Sequence, residues 1–193
     1  MRQANPPPLL GRRSKFSIWV VLCLLAVLAQ AQSAAEYQVK AAFLFNFAKF
    51  VEWPSQTFAS PETPLEICVL GQDPFGREFE QRIVEKVVNS RQITVAHPQG
   101  VAQARGCQIL FVASSEKLRI RGILEGLKGA SVLTVADTPS FIQTGGIINF
   151  VLDQDRVRFE INLKAAELAH LKLSARLLTV AKQVLPGEPT GDN

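Results

Sequence analysis

Four short apolar runs, Leu65 to Gly71, Ile93 to Val95, Cys107 to Val112 and Ser131 to Ala136, limit this chain more than any other feature. A strand that is apolar on both sides needs cover on both faces, and helices above and below a parallel sheet supply it. Between the runs, Phe79, Ile83, Val87 and Val88 mark one helix, and Leu118 to Leu127 marks another that Ser114 or Ser115 can cap. The order strand, helix, strand, strand, helix, strand predicts the α/β class: a single three-layer α/β/α domain with a mostly parallel sheet and right-handed crossovers. In such a sheet the first strand commonly neighbours the third, which brings Cys68 and Cys107 into one region. Bridges between directly paired strands are awkward, so Cys107 is expected at its strand's entrance, slightly out of register.

Upstream of the runs, Ala35 to Val51 predicts a helix. Tyr37, Ala41, Leu44, Phe45, Ala48 and Val51 recur at three- and four-residue steps, and Phe43, Phe47 and Phe50 widen the stripe over most of the helix girth. Such a helix is either clamped in the core or partly held for a partner. Trp53-Pro54 ends it. Downstream, Gly145 to Leu152 and Val157 to Ile161 alternate around Asp153-Gln154-Asp155-Arg156, which predicts an antiparallel hairpin at the sheet edge with Phe150 and Phe159 as its largest apolar side chains. Asn162 to Leu168 reads as helical and Leu171-Lys172-Leu173 as an interruption. Ser174 then caps a final helix through Val184, which Pro186-Gly187 stops. The polar tail 186–193 is expected to be disordered. The domain therefore spans 35–185, with no internal repeat.

The first thirty residues differ from the rest. Arg12, Arg13 and Lys15 lead into the apolar stretch Ile18 to Ala29 and then Ala29-Gln30-Ala31, the layout of a secretory signal peptide cleaved near residue 31. The apolar block is shorter than the roughly 20 residues a membrane-spanning helix needs. This leader holds Arg2, Arg12, Arg13 and Lys15 and no acidic residue, so its removal takes the formal charge from +4 to 0. The basicity belongs to export, and nucleic-acid binding loses its support. Cys23 leaves with the leader, while Cys68 and Cys107 remain for an oxidising compartment. Paired, they close a loop worth roughly 4 kcal/mol in the chain-entropy model; the alternative is two unrelated buried thiols.

Catalytic machinery is hard to find. No Gly-x-Ser-x-Gly surrounds Ser114-Ser115, and Asp153 and Asp155 sit in a hairpin turn. His97 and His170 show no metal-ligand spacing with the cysteines, so neither a metal nor another cofactor is expected. The one place favoured for a small ligand is the carboxyl edge of the sheet, where Gly71, Asp73, Phe75, Ser114, Ser115, Asp137 and Thr138 should gather. The plainer reading makes them turns and caps.

Specific strings carry a resemblance: Val39-Lys40-Ala41-Ala42-Phe43-Leu44-Phe45-Asn46-Phe47-Ala48-Lys49-Phe50-Val51-Glu52-Trp53-Pro54, Gly146-Ile147-Ile148-Asn149-Phe150 and Val157 to Ala166, followed by Leu171-Lys172-Leu173-Ser174 and Leu177-Leu178. Together they resemble the YfiR family of periplasmic proteins over nearly the whole mature region. The resemblance implies a non-enzymatic negative regulator in the periplasm, a homodimer of α/β fold. It would bind the periplasmic domain of an inner-membrane diguanylate cyclase and hold it inactive, lowering cyclic di-GMP signalling. It also implies Cys68 and Cys107 as the better-kept of two disulfide pairs; this chain lacks the second. The docking surface is expected among Phe43, Phe47, Phe50, Phe150 and Phe159, and the alternative function is a periplasmic small-molecule sensor using the strand-end crevice.

Overall fold

A computed structural model describes residues 32–83 and 86–187. The leader expected over 1–31 and most of the expected tail, 188–193, lie outside the described residues. By its contacts the chain divides into Met1–Glu36 and Tyr37–Asn193. Residues 32–36 of the first unit are helical, and the second unit carries the fold.

In the second unit, α1 covers 37–50 and runs straight into β1, Val51–Glu52. Then come β2 (Leu65–Leu70), α2 (Arg77–Ile83), β3 (Val87–Val88), β4 (Arg91–Ala96), α3 (Val101–Ala104) and β5 (Ile109–Val112). They are followed by α4 (Ile120–Gly126), β6 (Leu133–Ala136), β7 (Ile148–Asp153), β8 (Arg156–Asn162), α5 (Leu163–Leu168), β9 (Lys172–Leu173), α6 (Ala175–Val180) and β10 (Gln183–Leu185). An eight-stranded sheet has the order β10-β8-β7-β6-β5-β2-β4-β3. Its central pairs β4-β2, β2-β5, β5-β6 and β6-β7 are parallel, so the first long strand does lie beside the third.

Two cores flank the sheet, as strands buried on both faces require. On one face Leu65, Ile67, Val69, Ile109, Phe111, Leu133 and Val135 pack with Leu44, Phe47 and Ala48 of α1 and with Phe79, Ala166 and Leu177. On the other, Cys68, Leu70, Leu110, Val112 and Ala136 pack with Ala104, Ile120, Ile123 and Phe141. The alternation of neighbouring residues between the two sets is the pleat itself.

Four local expectations need correction. Val87 and Val88 are a strand, because the consecutive positive φ values of Asn89 (51°) and Ser90 (66°) make a tight turn that folds Val87–Val88 back on β4. Neither Ser114 nor Ser115 caps α4: Ser114–Glu116 forms its own 3-10 turn, and α4 starts after Arg119. The hairpin forms as expected, with Gln154 (φ 49°) and Asp155 (φ 58°) as its two-residue turn, but it is not the edge. The final helix ends at Val180, and β10 pairs parallel with β8 outside the hairpin. An apolar run as short as Gln183-Val184-Leu185 suits either state, and the open edge of β8 decides it through Lys182 N donating to Phe159 O at 2.8 Å.

Candidate functional site at the carboxyl edge of the sheet

The residues expected at the strand ends meet in two groups. Beyond β2, Gly71 adopts φ +97°, and a Cβ there would lie 2.5 Å from Ser115 Oγ, so this position favours glycine on both counts. Ser115 Oγ accepts from Gln72 N at 2.9 Å. Asp73 closes an Asx turn, its Oδ1 accepting from Phe75 N (2.8 Å) and its Oδ2 from Gly76 N (3.2 Å). These are turn roles. Ser114 starts the 3-10 turn and is exposed.

Phe75 links this group to the second. Its ring stands edge-on to Tyr37 at 5.6 Å and packs against Phe79 and Phe111 at 4.9 and 4.8 Å. Tyr37 and Lys40 of α1 both reach the loop after β6: the hydroxyl donates to Asp137 Oδ2 at 2.9 Å and the ammonium at 2.7 Å. The Lys40 and Asp137 side chains are only 5% and 7% exposed, and Lys40 Nζ lies 4.3 Å from the Tyr37 ring centroid. Asp137 Oδ1 and Thr138 Oγ1 are buried, and among the described residues neither has a hydrogen-bond partner. Unpaired buried acceptors cost free energy, so the strand-end cluster has capacity for a donor.

Sequence reasoning placed Asp137 and Thr138 but missed Tyr37 and Lys40. The signal was present: Lys40 falls on the stripe that Leu44, Phe47 and Ala48 bury, where an unpaired ammonium is not tolerated. A cavity of about 880 Å³ lies elsewhere, between α4, the loop at 143–147 and α5; Leu124, Val132, Ile147, Lys164 and Leu168 line it, and none of the expected crevice residues does.

The aromatic surface expected for docking is largely interior. Phe47, Phe150 and Phe159 are 0%, 3% and 2% exposed, and Phe47 meets Phe159 at 5.2 Å and Phe150 at 5.8 Å between ring centroids. Phe43 completes the cluster 5.4 Å from Phe159 and is half-buried, as is Phe50. The hairpin's inner side is the floor on which α1 lies, so the rings that looked like a surface serve the core.

Cys68 and Cys107 are joined, 39 residues apart in sequence with Cα atoms 6.0 Å apart, inside the second core. Cys107 stands just before β5, and Cys68 faces Leu110 in the ladder, the offset that a bridge between adjacent strands needs. Next to the bridge, Gln108 Oε1 accepts from Glu66 N at 2.7 Å and Gln108 O from Trp53 Nε1 at 3.2 Å, which ties the segment after α1 to the crosslinked strands. Among the described residues, Glu66, Cys68 and Cys107 bring possible ligand atoms within 4.8 Å of one another.

A family model described as DUF4154: YfiR/HmsC-like matches residues 37–182. No curated protein matches the chain. Among solved structures, a conserved domain protein from Vibrio cholerae O1 biovar eltor is similar at 12% identity and TM-score 0.48, over 63% of this chain and 55% of that one. The ABC domain in complex with L-Trp from Streptococcus pneumonia is similar at 11% identity and TM-score 0.46, over 62% and 55%. The chain thus spans little more than half the length of either structure.

Proposed function

This chain belongs to the YfiR/HmsC-like family, and on that premise we propose that it is an exported regulator that binds the periplasmic domain of an inner-membrane diguanylate cyclase and keeps that enzyme inactive. The observation that carries the reading is the family match over 37–182. Two others support it: a leader of secretory layout and a disulfide buried in the core, chemistry that persists in an oxidising compartment. The protein contributes contact and no turnover. It can shift the cyclase only by its difference in affinity for the active and inactive arrangements.

With Phe47, Phe150 and Phe159 in the core, the partner's surface is the outward side of α1 with half-buried Phe43 and Phe50 at its margin. Val39 is 45% exposed there, and Phe45 lies under two cations, Lys49 Nζ and Lys86 Nζ, at 4.2 and 4.5 Å. The test is affinity purification of the full chain from solubilised native membranes, with cyclic di-GMP measured in the same cells. The expected result is a membrane cyclase that co-purifies, loss of it with V39E and K49E together, and a rise in cyclic di-GMP on that loss. A folded double variant that still captures the cyclase overturns the surface; failure of the unaltered chain to capture any cyclase overturns the function. Sedimentation of the same preparation tests the homodimer that accompanies this reading.

Small-molecule sensing is the second reading, favoured by the buried, unpaired Asp137 Oδ1 and Thr138 Oγ1. A ligand held at a hundredfold its dissociation constant would add about 2.7 kcal/mol to stability. A metabolite panel that leaves the melting temperature of the wild-type chain unmoved removes this reading.

A further inference from the structure

Glu66 Oε2 lies 3.7 Å from Cys68 Sγ, yet a sulfur held in a disulfide has no proton to donate. Among the described residues that carboxylate meets no ammonium, guanidinium or amide donor, although Glu66 is half-buried within β2. In the crosslinked state it is a half-buried carboxyl group with no donor facing it among the described residues. The same arrangement has a clear use when the bridge is open, because two thiolates and one carboxylate, on β2 and at the entrance of β5, are the donor set of a borderline-soft cation.

We infer that the reduced protein binds a thiophilic divalent cation of the zinc type through Cys68 Sγ, Cys107 Sγ and a Glu66 carboxylate oxygen, with water as the fourth ligand. The three ligand atoms already lie within 4.8 Å of one another. Zinc–sulfur bonds of about 2.3 Å in a tetrahedron set the sulfurs about 3.8 Å apart, inside the 4.8 Å that encloses the three ligand atoms. Cys68 stands on a central strand and Cys107 at the mouth of its neighbour, so the ligands start from rigid positions. Gln108, whose Oε1 accepts from Glu66 N at 2.7 Å, fixes the backbone that presents the carboxylate.

The redox step balances with a dithiol reductant. It gives two electrons and two protons to the bridge, the sulfur–sulfur bond breaks to two thiols, and the reductant leaves as its own disulfide. On metal binding the two thiol protons pass to solvent. Crosslink and metal are therefore mutually exclusive ways to hold β2 to the entrance of β5.

The test uses the full chain carrying C23S, reduced with a phosphine under nitrogen and titrated with cobalt(II) as the spectroscopic substitute for zinc. The expected result is thiolate-to-cobalt charge-transfer absorption and tetrahedral ligand-field bands that saturate at one equivalent. They are absent from the oxidised protein and from C107S, and E66Q weakens affinity at least tenfold. No such bands in the reduced, folded chain, or equal affinity in E66Q, overturns the inference. Should reduction unfold the chain, zinc must restore its native circular dichroism with Glu66 present and fail to do so in E66Q; any other pattern overturns it as well.

Discussion

Lys40 Nζ lies 2.7 Å from Asp137 Oδ2, and with both side chains less than a tenth exposed this ion pair fastens the first helix to the end of β6. Tyr37 donates to the same oxygen. Removing one partner from such a pair leaves a charge in a poorly solvating place, whereas removing both does not. K40M and D137N are each expected to cost about 3–5 kcal/mol, and the double replacement clearly less than their sum. Urea denaturation of the two single variants and the double variant measures the coupling; additive losses would show that the pair contributes nothing.

Phe47 is fully buried between the hairpin rings, and Val39 looks outward from the same helix. F47A is expected to destabilise by about 3–5 kcal/mol through lost transfer energy and the cavity left behind. V39A should change stability by no more than about 0.5 kcal/mol. Equal effects of the two in thermal denaturation would contradict the orientation of α1.

Opening the Cys68–Cys107 bridge releases a loop whose ends lie 39 residues apart in sequence. The expected loss is about 4 kcal/mol on the chain-entropy account. Chemical denaturation with and without reductant measures it, and Trp53 fluorescence should respond because its indole donates to Gln108 O beside the bridge. An unchanged midpoint after verified reduction would assign the crosslink no structural weight.

Asn162 has two jobs at the start of α5. Its Oδ1 accepts from Ala165 N at 2.9 Å as the helix cap, and its Nδ2 donates to Ile142 O at 2.8 Å. Among the described residues the Ser174 side chain does the first alone, accepting from Leu177 N at 3.3 Å. N162A should therefore cost about 2 kcal/mol and S174A about 1 kcal/mol. The reverse ranking in denaturant midpoints would show that the contact to Ile142 carries no energy.

The candidate site divides along the same line between local and distant causes. Asp73 and Gly71 were legible as turn chemistry, because an Asx turn and a positive φ involve only near neighbours in sequence. Tyr37 and Lys40 were not legible as partners of Asp137, since about a hundred residues separate them and only the placing of α1 across the sheet joins them. Phe47, Phe150 and Phe159 failed as a surface for a related reason: periodicity shows that a stripe is apolar but not what covers it.

Runs of apolar residues between helical segments were by themselves enough to determine the α/β class, the parallel centre of the sheet, the hairpin turn and the neighbourhood of the two cysteines, because these follow from local periodicity and short-range turn preferences. The edge strand at Gln183–Leu185, the return of Val87–Val88 onto β4 and the burial of the aromatic cluster were decided only by tertiary structure. Each depends on a free strand edge or an uncovered face that some distant segment must satisfy.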